Sequence, residues 1–213
     1  MRWLFSFGKH SVASWKGKLV GSNSIAEFYP TPLCVARQML ELAETSPQDV
    51  VYDLGSGDGR IPILAAQEFG CHAVGIEMDD GLYRYSVARV AELELEKQVG
   101  FQRLNFFAAD FRPATVVTLY LLGTVNEQLQ PRLGSHLRTG ARIVSLDFPV
   151  PGWNPEDVRQ VHSVNEVAYT LYLYRRCPLR LPTERPERPA AKDNDQAAAL
   201  PDRSGGRNVQ SKV

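Results

Sequence analysis

The chain is short of the residues that would make it a disulfide scaffold, a metalloprotein or a membrane span. Its 213 residues include three cysteines, Cys34, Cys71 and Cys177, which stand far apart and form no CxxC pair. That excludes a disulfide framework and a zinc ribbon, and it suits a reducing compartment. The histidines, His10, His72, His136 and His162, show no ligand spacing either, so no metal is expected. The longest clean apolar run near the middle, residues 114–122, falls far short of the roughly 20 residues a membrane helix needs, so no transmembrane segment is expected. Charge of one sign is also lacking: 24 basic residues balance 24 acidic ones, and the pI is about 6.9. Nothing in that balance recruits nucleic acid or an anionic membrane, and a cytoplasmic protein is the expectation.

The two ends lack what a core requires. Residues 1–24 carry Arg2, Lys9, Lys16 and Lys18 beside Trp3, Phe5 and Phe7, without the continuous apolar stretch of a secretory signal. They read as a basic, flexible arm, with an organelle-targeting peptide or a membrane-surface helix as the alternative. Beyond Pro178 the chain turns rich in Pro, Arg, Ala, Asp and Gly, with hardly a large apolar residue after Leu181. A disordered tail over 178–213 is expected, which leaves one folded domain over 25–177.

Within that domain strand-like and helix-like stretches alternate. Strands are expected at Val50–Leu54, Ala73–Glu77, Phe101–Leu104, Ala114–Leu122 and Ala141–Leu146, with Val158–Val164 and Val167–Tyr174 closing as an antiparallel pair around Asn165-Glu166. Thr31-Pro32 reads as an N-cap and first helical residue, Asp58–Phe69 and Asp79–Gln98 as helices, and Thr124–Glu127 as a capping box. Asn154–Asp157 reads as one further helix start. The fold class is α/β, a Rossmann-like, doubly wound and mostly parallel seven-stranded sheet with a C-terminal antiparallel strand pair.

The most informative stretch is Val50 to Arg60, where a β-branched run ends in Asp53 and then in glycines at alternate positions, Gly55, Gly57 and Gly59. A buried strand that turns sharply into bare backbone is a nucleotide-cofactor site. A dinucleotide turn would want a glycine where Arg60 stands and a helix start clear for pyrophosphate. Here Asp58 occupies that start and repels phosphate, while Asp53 suits positive charge. S-adenosyl-L-methionine, which carries an ammonium and a sulfonium but no phosphate, fits both. Glu77, at the end of the second strand, is placed to accept ribose hydroxyls; the alternative is a solvated strand-end acid. Asn105, at the end of the third, is the candidate for the adenine edge, with Asp110 as its rival.

The order of these parts resembles the class I, seven-strand methyltransferases that use this cofactor. A narrower likeness lies in Phe28–Pro32 (FYPTP), Val51–Ile61, Ala114–Leu122, Val125-Asn126 and Gly152–Pro155 (GWNP). These resemble a small lysine methyltransferase family that includes broad-specificity archaeal enzymes and mitochondrial enzymes acting on the ATP synthase c subunit and the adenine nucleotide carrier. The resemblance implies that Asp53, Gly55, Ser56 and Gly57 cradle the methionine part, Glu77 the ribose and Asn105 the adenine, with Tyr29 to Thr31 closing over the cofactor. It also implies a protein substrate presenting lysine. A small-molecule N- or O-methyltransferase, or a scaffold that binds the cofactor without turnover, remains the alternative.

Methyl transfer from a sulfonium is an in-line displacement that needs a neutral nucleophile held close. A lysine of pKa about 10.4 reaches the free amine at neutral pH at a cost of roughly 4 to 5 kcal/mol. Acceptors that point the amine lone pair at the methyl group are therefore sought, and the candidates are Asp147 and Asn126. Tyr120, Phe148 and Trp153 are the candidates for an apolar channel around the lysine stem.

Overall fold

Residues 28–177 are described by a computed structural model, and the arm and tail expected at 1–24 and 178–213 lie outside the described residues. Seven strands, β1 Val50–Leu54, β2 His72–Glu77, β3 Val99–Arg103, β4 Val116–Leu119, β5 Arg142–Leu146, β6 Asp157–His162 and β7 Ala168–Arg175, form one sheet in the order β3-β2-β1-β4-β5-β7-β6. The first five pair in parallel, and β7 alone runs the other way, antiparallel to β5 and β6. The carboxyl ends of β1 to β6 and the amino end of β7 therefore share one edge. Strand order reverses between β1 and β4, the switch point at which such sheets bind ligands.

Two apolar layers cover the sheet. On one face α1 (Leu33–Leu42), α2 (Arg60–Phe69) and Val90 of α3 (Asp80–Glu92) bury Val51, Val116, Val144, Leu146, Leu171 and Leu173. On the other, α4 (Gly123–His136) and the segment from Phe106 to Ala114 bury Tyr52, Leu54, Val117, Leu119, Ile143 and Tyr174. Residues alternate between layers along each strand, as the two-residue period of a pleated strand requires. Each fully buried Leu or Ile contributes about 1.5–3 kcal/mol.

Several expected boundaries shift for local reasons. Pro32, with ψ 138, is the N-cap of α1 in place of Thr31, and α2 starts at Arg60 because Gly59 holds a left-handed φ of 78. Asp79 does cap α3, accepting from Leu82 N at 2.9 Å. That helix stops at Glu92, well short of Gln98, as the chain turns through Glu94 at φ 57. Thr124 lies inside α4, whose N-cap is Leu122, so the capping box does not form. Asn154-Pro155 opens no helix: Asp157 goes directly into β6, and Glu156 N donates to Leu173 O at 2.7 Å.

Candidate active site

At the switch point Asp53 is 4% exposed, and a hydroxyl, Thr118 Oγ1 at 2.7 Å, donates to its Oδ1. Burial pushes its carboxyl up to about 7; the Thr118 bond opposes that rise, and the carboxylates of Glu77 and Asp58 add to it. A buried acid so poorly served by donors is complementary to a ligand cation.

The glycine turn is tight. Gly57 has φ 55, and a β-carbon there would collide with the Phe28 ring, so the residues before α1 pack directly on the turn. Its N–H groups are already engaged: Gly55 N and Ser56 N donate to Ile76 O at 2.9 and 3.0 Å, Gly57 N to Glu77 Oε2 at 2.8 Å, and Gly59 N to Ser56 O at 2.9 Å. A phosphate cradle needs those donors free. Asp58, at the start of α2, is paired with Arg60, whose Nε donates to Oδ1 at 2.8 Å and whose Nη1 donates to Thr31 O at 2.8 Å. That ties the segment before α1 to the turn and keeps a carboxylate where pyrophosphate would sit. The turn thus suits a ligand that approaches bare backbone and brings positive charge, as S-adenosyl-L-methionine does.

Glu77 is held in place rather than loosely solvated. Oε2 accepts from Gly57 N and Oε1 from Asp79 N, both at 2.8 Å, which leaves each oxygen lone-pair capacity for a ribose hydroxyl. Burial raises its pKa, partly offset by bonds from Asp79, Gly57 and Met78.

Other candidates are placed less simply. The Ser56 hydroxyl is buried without a partner, close to Gly75. Thr31 is buried, whereas Tyr29 is 69% exposed. Asn105 stands two residues beyond β3, not at its end, and its Oδ1 accepts from Phe107 N at 2.9 Å, closing a turn and leaving its amide N–H groups for an adenine edge. Asp110 is exposed and bound to Arg112, whose hydrogen bonds hold its carboxyl far below the usual range.

Asn126 is fully buried and acts as a brace: Nδ2 donates to Phe148 O at 2.9 Å and Ser145 Oγ at 3.2 Å, fastening α4 to the turn after β5. Its Nδ2 is committed to that brace, while its Oδ1 is buried without a partner. Trp153 packs edge-on to Tyr174 at 6.0 Å, half-buried on the α4 face, the side of the sheet away from Asp53. Phe148 is half-buried near Gly123, beside the end of β4. Tyr120 packs on the α1 face, the face of Asp53.

A family model described as the ANTKMT methyltransferase domain matches residues 53–157. A protein-lysine N-methyltransferase of Saccharolobus islandicus is 45% identical over 148 residues, which cover 69% of this chain and 91% of that protein. The chain belongs to this family. An adenine nucleotide translocase lysine N-methyltransferase of Mus musculus is 35% identical over 124 residues, 56% of this chain and 53% of that one. A crystal structure of an RNA methyltransferase from Salinibacter ruber with S-adenosyl-L-homocysteine is 41% identical, with TM-score 0.65, covering 75% of this chain and 98% of that one. The protein is an S-adenosyl-L-methionine-dependent methyltransferase, and the crevice beside Asp53 fits that cofactor.

Two contributors had only faint sequence signals. Thr118, the donor to Asp53, is a hydroxyl inside an apolar run. Arg60, where a dinucleotide turn would have glycine, ties the turn to Thr31.

Proposed function

We propose that the chain transfers methyl groups to the ε-amine of lysine in protein substrates. The observation that carries this reading is the 45% identity to a protein-lysine N-methyltransferase across nearly all of that protein's length. The site edge supports it. Around the carboxyl ends of the strands stand Asp147 and, exposed, Tyr29, Leu122, Val164 and Val167, an acid and an apolar rim suited to a lysine and its flanking segment rather than to phosphates.

Bound S-adenosyl-L-methionine supplies an electrophilic methyl on sulfur, which a neutral amine takes in line. The chain's own residues bind and align. Asp53 would hold the cofactor's ammonium, Glu77 the ribose, and Asn105 the adenine end. Asp147 accepts from the acceptor nitrogen and turns its lone pair toward the methyl, while the ammonium proton leaves to solvent beforehand.

A second reading, RNA as acceptor, is favoured by the likeness to the Salinibacter ruber protein. Incubating the full chain with tritiated cofactor and host lysate separates the readings. Label removed by protease and recovered as methyl-lysine by mass spectrometry is the expected result. Label removed by ribonuclease, label in small molecules, or cofactor binding with no transfer would each overturn it.

A further inference from the structure

Beyond Asp53, one face of the sheet carries a line of side chains toward β5 and β7. Val116 of β4 and Tyr120, just beyond its end, lie on the α1 face, as do Val144 and Leu146 in β5 and Tyr169, Leu171 and Leu173 in β7. The registers, Leu119 opposite Ser145 and Leu146 opposite Leu171, bring Tyr120, Asp147 and Tyr169 to adjoining strand ends. Because β7 is reversed, its amino end with Tyr169 lies at the cofactor edge.

Asp147 is fixed at that edge. It adopts φ 60, a conformation non-glycine residues rarely hold, and exchanges two hydrogen bonds with Thr170: its N donates to Thr170 O at 2.7 Å and its Oδ1 accepts from Thr170 N at 2.9 Å. Such strain persists where surroundings enforce it, often at functional sites. Burial pushes the pKa of the Tyr120 hydroxyl up to about 12, and the nearby Asp147, Tyr169 and Tyr29 act in the same sense. Tyr169 is raised in the same way, by burial first and then by Asp147, Tyr29 and Cys34. No cation among the described residues pairs with Asp147.

From this juxtaposition we infer that Asp147 and the rings of Tyr120, Tyr169 and Tyr29 form the seat of the acceptor's ammonium head, with Tyr169 a specificity-determining wall. The inference rests on the lysine reading and adds to it the residues that recognise the head. A carboxylate holds an ammonium through its N–H groups, and each methyl added removes one of them. Aromatic faces attract the cation whether or not it is methylated. A seat built from both retains the head through successive methylations, with the rings taking over from the carboxylate.

The test uses the full chain saturated with S-adenosyl-L-homocysteine and titrated with Nε-trimethyl-L-lysine or its uncharged carbon isostere, following tyrosine resonances by NMR. The charged ligand is expected to bind about tenfold more tightly. Tyr169→Ala reduces that preference by about fivefold, Tyr169→Phe keeps it within about twofold of the parent, and neither changes the affinity for S-adenosyl-L-homocysteine. Tyr29→Ala, at an exposed position that does not threaten the fold, gives a smaller loss of about threefold. Equal binding of the two ligands, or a preference left undiminished by both alanine variants, would overturn the seat. A wild type that methylates lysine yet shows no charge preference sinks the seat alone. One that keeps the preference but labels no lysine sinks the lysine reading and leaves an ammonium seat standing.

Discussion

Asp49 and Asp53 stand four residues apart at opposite ends of β1, both buried, and the chain treats them in opposite ways. Asp49, at the amino edge, is saturated. Ser46 N and Oγ donate to its Oδ2 at 2.8 and 2.9 Å, Thr115 Oγ1 donates to Oδ1 at 2.6 Å, and Arg142 forms an ion pair with it. Burial alone would raise its pKa, but the bonds from Thr115 and Ser46 and the Arg142 charge outweigh burial and hold the group below the ordinary value. Asp53, at the carboxyl edge, has the Thr118 hydroxyl and two nearby carboxylates, and rises to about 7. The first carboxylate is complete within the fold; the second is left for a ligand to complete. The difference separates a structural acid from a binding acid in a way that burial cannot.

Exchanging each acid for its amide breaks the comparison most directly. Asp53→Asn is expected to weaken cofactor binding by about a hundred- to thousand-fold in calorimetry, the cost of removing one member of a desolvated charge pair. The same change should make the apo protein more stable at pH 8. With the folded pKa above the unfolded one, stability falls as pH rises from about 4 to about 7, so the amide regains on the order of 4 kcal/mol above that window and nothing below it. A thermal midpoint that drops at pH 8 would contradict the raised carboxyl. Asp49→Asn has the reverse signature: about 3 kcal/mol of stability lost in denaturant melts, because Arg142 is left without its partner, and cofactor affinity within about twofold of the parent.

The pH dependence of binding sharpens the same contrast. Cofactor ammonium is held by ionised Asp53, so affinity should fall about tenfold per pH unit below about 7 and level off above it. Glu77, also raised, acts in the same sense. The ligand's own α-amino group loses its charge near pH 8, which closes the profile on the alkaline side. Calorimetry in buffers of different ionisation enthalpy at pH 6.5 should register net proton release on binding. A flat profile between pH 5.5 and pH 7.5 would mean that Asp53 is ionised in the free protein.

How much of this was legible in the sequence depends on whether a feature is local. The Asp53 turn, Glu77 and the strand alternation are short-range patterns, and the structure realises them at one edge of the sheet. Thr118, Asn126 and Trp153 depend on which face of the sheet a side chain takes, and that is settled by the packing of helices distant in sequence. Asn126 reads in the sequence as a catalytic amide, and its part in fastening α4 to the β5 turn shows only once the two are packed together. Tyr169 shows the limit most clearly: its alternation with Leu171 and Leu173 reveals a strand, but only the reversed direction of β7 brings its amino end to the site. The Asn154-Pro155 cap fails because Glu156 and Asp157 are drawn into pairing with β7 instead of coiling.

Trp153 gives the smallest and most discriminating test of face assignment. It lies against Tyr174, whose hydroxyl accepts from Val150 N at 2.9 Å, and close to Gly134 of α4, on the side of the sheet away from Asp53. Trp153→Phe removes part of that packing and is expected to cost about 1 kcal/mol in a denaturant melt. Cofactor affinity and the KM for the acceptor should stay within about twofold, since no ring that touches the lysine has been altered. Were Trp153 instead part of the channel, the same substitution would leave stability alone and raise the acceptor KM, and the two faces of the sheet would have to exchange roles.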